Sequence, residues 1–342
     1  MGFGSPDIWR TGALGVSLLA AVGPAGCGSG SAVPPASSGN ASTTPALISP
    51  ALSPPASPSP TAAPPHVMVI MEENSGYQAT LGSCASGSPD PYLCSLAAGY
   101  ASLTSWYGVE HPSQPNYIAI VSGSDQGCHA DYCVGADAYS ATDLGGQLTA
   151  AGIPWVAWME SMPSACYTGA DHGSDSTGAY ALKHNPFVVF RDDMPPKPCR
   201  IQPYPGAAAA VRALDGPGGP DFVWITPNLC NDGHDDCGPG NVRQTDSWLR
   251  LNLPGVLSSA WFADRGTVII TMDEGVSGSC CGQAAGGRIP EVVISAGSRG
   301  RGGIPTSGDH FGTLRSIEEA YGLPLLGAAS DAANGDFSSL IP

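Results

Sequence analysis

Five apolar runs recur along the chain, each of strand length: His66 to Met71 (HVMVIM), Trp155 to Met159 (WVAWM), Phe222 to Thr226 (FVWIT), Thr267 to Met272 (TVIITM) and Glu291 to Ala296 (EVVISA). They are continuous rather than alternating and rich in β-branched side chains, the pattern of strands covered on both faces. Helical segments are predicted between and after them. Asp143 to Ala151 follows a Thr142 cap, Thr245 to Ala263 keeps helical spacing despite Pro254, and Thr313 to Tyr321 (TLRSIEEAY) stops at Gly322. Strands alternating with helices predict an α/β domain on a mainly parallel sheet.

The first 65 residues follow other rules. Thr11 to Val22 is an apolar run of signal-peptide length behind Arg10, too short to span a bilayer as a mature helix. Ala25-Gly26-Cys27 then resembles the end of a lipobox, although Pro24 stands where Leu is usual. Residues 1–27 are therefore expected to be a signal peptide with a lipid anchor at Cys27, giving an exported, extracellular or cell-surface lipoprotein associated with a membrane. Residues 28–65 are Ser, Pro, Ala, Thr and Gly almost throughout and cannot bury enough surface to fold. They read as a disordered tether leading to a catalytic domain at 66–342.

Ten further cysteines, an even number in an exported chain, predict disulfides. Near spacing suggests local staples Cys84 with Cys94, Cys128 with Cys133 and Cys230 with Cys237. No paired CxxC spacing supports a cysteinyl zinc site. The adjacent Cys280 and Cys281 are expected to bond to separate partners.

Charge narrows the function. With 29 acidic and 13 basic side chains the net charge is −16, which excludes a basic nucleic-acid binder. Any phosphorylated substrate must be met by a local device: a metal ion, a helix N-terminus or clustered histidines. Such a device is suggested at the strand ends, where ligands bind in parallel sheets. Glu72-Glu73-Asn74 follows the first run, Asn228 to Asp236 (NLCNDGHDD) the third and Asp273-Glu274 the fourth. Taken singly these are ordinary loop carboxylates. Three converging on one rim would repel without a cation, and oxygen ligands favour Mg²⁺, Ca²⁺ or Mn²⁺, with Zn²⁺ possible once histidines join.

A second device is His111 to Gly123 (HPSQPNYIAIVSG). Pro115 suits a first helical turn and YIAIV a buried helix, so Ser113 falls at a helix N-terminus. There it is either a cap or a nucleophile aimed at a phosphate that the free N–H groups attract.

Taken in order, MEEN, HPSQPNYIAIVSG, KHNPFVVF (183–190), TPNLCNDGHDDC, TMDEG and HFGTLRSIEEAYGLPLLGAAS (310–330) resemble the bacterial phosphoesterase family of acid phosphatases and phospholipases C. The resemblance is strongest to secreted actinobacterial acid and phosphatidylinositol-phosphate phosphatases. It implies an alkaline-phosphatase-like three-layer α/β sandwich with a mainly parallel central sheet. It also implies a divalent metal held by Glu73, Asn74, Ser113, Asp273 and Glu274, with Ser113 as nucleophile. Asp232, His234 and His310 fall where two-metal relatives hold a second ion, and His184, His234 and His310 are candidate proton donors and acceptors. Asn185 and Asn116 are expected to face the substrate. The implied reaction is hydrolysis of a small-molecule or lipid phosphate monoester through a phosphoserine, with no nucleic-acid partner. A phospholipase C-type diesterase and a non-catalytic surface protein are the alternatives. The segment Val276 to Gly282 departs from the phospholipase C pattern, and HPSQPN lacks a sulfatase nucleophile motif. His66, His111, His129 and His172 read as structural or surface residues. Lys183 reads equally as a phosphate contact or a solvated surface side chain.

Overall fold

A computed structural model describes residues 63–342 except 86, 175–176, 196 and 282–283. The expected signal peptide, Cys27 and all but the end of the tether lie outside the described residues. No helix among the described residues is long and apolar enough to cross a membrane.

Nine strands form one sheet among the described residues. In chain order they are β1 (His66–Glu72), β2 (Ala101–Tyr107), β3 (Trp155–Met159), β4 (Ile201–Pro203), β5 (Phe222–Thr226), β6 (Gly266–Met272), β7 (Arg288–Ile289), β8 (Glu291–Ser295) and β9 (Gly302–Asp309). The order across the sheet is β4-β3-β5-β1-β6-β8-β2-β7, with β9 also on β2. The first five strands of that order are mutually parallel; β8 runs antiparallel to β6 and to β2, and β9 is parallel to β2. The expected parallel α/β sheet is therefore present, with an antiparallel join at β8. Every residue of β5 and β6 is buried, as continuous apolar runs require.

The helices are α1 (Pro91–Gly99), α2 (Ser113–Ser122), α3 (Leu144–Ala151), α4 (Ala207–Leu214), α5 (Asn241–Leu257), α6 (Ala260–Ala263) and α7 (His310–Tyr321). They pack as two groups: α1, α4 and α6 on α5, and α3 and α7 on α2. Successive residues of an extended chain point to opposite faces. Glu72 is turned toward Asp90 and Asp246 beside α1 and α5, and Glu73 toward Ser113 of α2. The two groups thus cover the two faces of the sheet.

Three local expectations are corrected. Asp143, not Thr142, caps α3, its carboxylate accepting from Gly146 N–H at 2.9 Å. The helix expected over 245–263 starts earlier and breaks in two. Ser259, in extended conformation, accepts from Phe262 N–H and starts α6 afresh. Cys280 and Cys281 bond to each other, while Cys84–Cys94, Cys128–Cys133, Cys166–Cys199 and Cys230–Cys237 complete the set. The left-handed backbone at Cys281, φ 56°, accompanies that adjacent pairing, which the ordinary spacing rule disfavours.

Candidate active site

Strand order builds the site. β5, β1 and β6 are neighbours, so the loops leaving their carboxyl ends emerge side by side, and Glu73, Asp232 and Asp273 meet there. Backbone bonds tie the loops together: Glu73 N–H donates to Asp232 C=O at 2.8 Å and Asp273 N–H to Glu72 C=O at 3.0 Å. The Cys230–Cys237 disulfide closes the loop that carries Asp232 and His234. Glu160, just past β3, holds the same loop by accepting from Asn228 N–H at 3.0 Å and Asn231 Nδ2 at 2.9 Å. Gly108 runs beneath the Asp273-Glu274 pair, where a Cβ would come within 2.7 Å of the Asp273 carbonyl oxygen.

Ser113 opens α2, a helix buried along its whole length. Its hydroxyl donates to Glu73 Oε2 at 3.1 Å, and Asn74 Nδ2 donates to the same oxygen at 3.0 Å. Asn74, in the left-handed region at φ 48°, turns its N–H onto Asp273 Oδ1 at 2.9 Å. His184 is buried between two carboxylates, with Nδ1 3.1 Å from Asp232 Oδ2 and Nε2 3.1 Å from Glu73 Oε1. The second of these contacts lies outside hydrogen-bond alignment, leaving both atoms without a partner. Tyr117, one turn along α2 from Ser113, stacks on His184 with ring centroids 5.0 Å apart.

The electrostatics follow from crowding acids in a dry rim. Burial, then Asp273 and Asp232, raise Glu73 well above the carboxylate range. Burial raises Asp232 in the same way. Asp273 is pushed up to about 7 by burial and by Glu274, and Glu274 to about 7 by burial and by Asp131. Burial drives His184 well below its ordinary value, with Lys183 and His234 adding to the shift. Asp273 Oδ2 and Glu73 Oε1 are buried without a donor. Ligand atoms of Glu73, His184 and His234 lie within 4.8 Å of one another. Orphaned carboxylate oxygens beside two imidazoles fit a divalent cation, which would supply the missing positive partner.

Other expected residues stand at different distances from this centre. Glu274 is at the rim, its Oε2 2.5 Å from His111 Nδ1. His234 is partly open, with Nδ1 2.8 Å from Asp235 and Nε2 3.1 Å from Lys183 Nζ. His310 reaches only the Asp273 backbone carbonyl, through Nε2 at 2.6 Å. Asn116 spends its amide on backbone groups of Val109, Glu110 and Pro112, and so shapes the turn before Ser113 rather than facing an open site. Asn185 is likewise spent, donating to the Tyr180 hydroxyl and accepting from Val188 N–H.

Of four further neighbours, sequence reasoning missed His111 on Glu274, Tyr117 on His184 and Asp131, and left Lys183, which pairs with Asp131 at 2.7 Å, open between a phosphate contact and a surface side chain. Position offered a signal for three of them. His111 is two residues from Ser113, Tyr117 lies on its helical face, and Lys183 immediately precedes His184.

Comparison with known proteins is consistent with this geometry. A model of the Phosphoesterase family matches residues 86–324. The chain is 30% identical over 267 residues to a phosphatidylinositol-3-phosphatase of Mycobacterium tuberculosis, covering 78% of this chain and 80% of that one. It is 27% identical to a probable acid phosphatase of Kluyveromyces lactis, covering 78% of this chain and 60% of that protein. A phosphate-repressible acid phosphatase of Penicillium chrysogenum is 29% identical over 72% of this chain and 58% of its own length. The chain thus spans about three-fifths of those fungal relatives. Among solved structures, a protein of the alkaline phosphatase superfamily from Vibrio parahaemolyticus superposes with TM-score 0.54 at 13% identity, over 77% of this chain and 67% of that one. That likeness shows the fold.

Proposed function

Since the chain belongs to the Phosphoesterase family and is a hydrolase of phosphoric esters, we propose that it is an exported, metal-dependent phosphomonoesterase. In this reading it is an acid phosphatase that works through a phosphoserine at Ser113, and phosphatidylinositol phosphates are among its substrates, as the name of the mycobacterial relative suggests. The observation that carries the proposal is the Ser113 hydroxyl at the head of a buried helix, 3.1 Å from Glu73 in a rim with orphaned carboxylate oxygens. Export is supported by the five disulfides, which persist in oxidising compartments. Lipidation at Cys27 would add membrane association.

Glu73, Asn74, Ser113, Asp273 and Glu274 would hold Mg²⁺, Ca²⁺, Mn²⁺ or Zn²⁺, with Asp232 available to a second ion. A bound divalent ion lowers the pKa of a hydroxyl it touches and neutralises phosphate charge. The chain's own part is orientation and proton handling. Glu73 Oε2 accepts the Ser113 hydroxyl hydrogen and so fixes where the oxygen lone pairs point. Ser113 Oγ then attacks phosphorus in line as its hydrogen passes to solvent, the ester P–O bond breaks, and the departing alcohol oxygen takes a proton from His234 at the opening. His184, held neutral by burial, stands between Asp232 and Glu73 and fixes their spacing without adding a charge. Water next attacks the phosphoserine, giving a proton to His234, while the P–Oγ bond breaks and Ser113 Oγ takes a proton back, releasing inorganic phosphate and restoring the hydroxyl.

The test is release of phosphate from p-nitrophenyl phosphate by residues 66–342, comparing parent with Ser113→Ala, each with and without chelator. Loss of about 10³-fold or more in the variant is expected, together with loss on chelation restored by added metal. An active Ser113→Ala protein would remove the phosphoserine; chelator-resistant turnover would remove the metal.

A further inference from the structure

Lys183 is 6% exposed, which is unusual for a lysine and costly unless the ammonium is paired. Its Nζ lies 2.7 Å from Asp131 Oδ2 and 3.1 Å from His234 Nε2. Asp131 supplies the opposite charge that compensates the buried ammonium.

Asp131 explains how the ammonium is held. Its Oδ1 accepts from Gln114 N–H at 3.1 Å, the backbone donor next to Ser113 at the start of α2, while Oδ2 takes Lys183. The Cys128–Cys133 disulfide closes the loop on which Asp131 sits. Gln114 fastens that loop from the helix side, accepting from Cys133 N–H at 2.9 Å and donating to Val134 C=O at 3.1 Å. An aspartate carboxylate is thus laid across a helix N-terminus and a buried ammonium beside the nucleophile. Those are the groups a phosphate oxygen would meet there.

We propose that Lys183 is a specificity-determining residue: its ammonium pairs with the extra anionic oxygen that a terminal phosphate carries and a diester lacks, and Asp131 is the positioning residue that aims it. The inference rests on the phosphomonoesterase reading above and names the feature that selects the monoester. A dianionic monoester brings a second negative charge into a rim already crowded with carboxylates, and Lys183 is the cation set to meet it. A diester has one charge and a second organic group in place of that oxygen, so the ammonium gains it little.

The test compares kcat/KM for p-nitrophenyl phosphate and bis(p-nitrophenyl) phosphate at pH 7, where the monoester carries two charges. The variants are Lys183→Gln, which can still donate to Asp131, Lys183→Arg, which keeps the charge, and Asp131→Asn. Lys183→Gln is expected to lose about 10²-fold on the monoester and under about 5-fold on the diester, with Lys183→Arg recovering most of the loss. Asp131→Asn should lower the same ratio by a smaller factor. Inorganic phosphate binding, followed by calorimetry on the metal-loaded protein, should weaken about tenfold in Lys183→Gln, which gives a readout independent of turnover. Equal losses on both esters, or none on the monoester, would overturn the role of Lys183 while leaving the parent a monoesterase. A parent that cleaves the diester alone would instead sink the monoesterase reading, and this inference with it. Near-UV circular dichroism separates misfolding from charge loss, and if Lys183→Gln does not fold, phosphate binding by Asp131→Asn decides.

Discussion

Replacing Asp90 with Asn tests a proton buried behind the candidate site. Asp90 is fully buried just before α1, and neither of its carboxyl oxygens has a donor. Its neighbour Asp246 is well served: Oδ1 accepts from Tyr92 N–H at 2.7 Å and Leu93 N–H at 3.0 Å, and Oδ2 takes Arg250 at 3.2 Å. Asp246 is therefore the anion, and Asp90 the neutral acid that donates to it. Burial, then the hydrogen bond and charge of Asp246, push Asp90 up to about 9 from its usual 3.8. A folded-state pKa above the unfolded one means that the folded protein keeps a proton the unfolded chain releases. The resulting stabilisation is whole below about pH 4 and is lost as pH rises toward about 9. Within that window each pH unit costs about 1.4 kcal/mol for this one proton. Asn donates to Asp246 as the acid does and never ionises, so the variant lacks this slope. Its stability relative to the parent should rise by about 1.4 kcal/mol per unit between pH 5 and 8, or about 2–3 °C in Tm for a domain of this size. Thermal melts at four pH values across that range measure it. Parallel curves with a constant offset would refute the argument, because they would mean that Asp90 carries no proton at neutral pH.

Three further outcomes are expected. His111→Ala removes the 2.5 Å contact that orients Glu274 and should weaken metal affinity about 10- to 100-fold, read by metal titration of activity or by calorimetry. The double substitution Cys128→Ser with Cys133→Ser opens the loop carrying Asp131 and should cost about 2 kcal/mol in urea unfolding, with a larger proportional loss on phosphate monoesters than on diesters. His310, lowered to about 4 by burial, is neutral above pH 5 and works through the Asp273 carbonyl. His310→Gln, which can still donate there, should therefore stay within about fivefold of parent activity while His310→Ala loses more, and neither should move the pH profile between pH 5 and 8.

The strands were legible where burial is complete. β3 and β5 start and stop where the apolar runs do, because a strand covered on both faces needs no alternation and ends where polar loops begin. β2 and β9 gave no such signal. Ala101–Tyr107 (ASLTSWY) carries four hydroxyl side chains, and Gly302–Asp309 (GGIPTSGD) carries three glycines and a proline. These strands are held by pairing with each other rather than by their own propensity, and contacts between residues some 200 positions apart leave no local trace.

The site was legible for the same reason as the central strands. Glu73, Asp232 and Asp273 each follow a strand whose end could be read, and adjacency of β5, β1 and β6 turns three sequence positions into one rim. What could not be read was whether a polar residue in a suggestive motif keeps its hydrogen-bonding groups free. Asn116 and Asn185 sit in the expected segments, but their amides are consumed by the turns that present Ser113 and His184. Lys183 could be read either way, as a phosphate contact or a solvated side chain, because the loop that buries it is distant: Asp131, 52 residues earlier, supplies the partner that makes burial tolerable. The acids also divide by function in a way that spacing alone hides. Glu72 and Glu73 are neighbours in the chain, yet one faces the Asp90–Asp246 pair behind the sheet and the other Ser113 in front. A doubled acidic motif at a strand end therefore puts one carboxylate in the site and hides the other. Only the strand's pleat decides which.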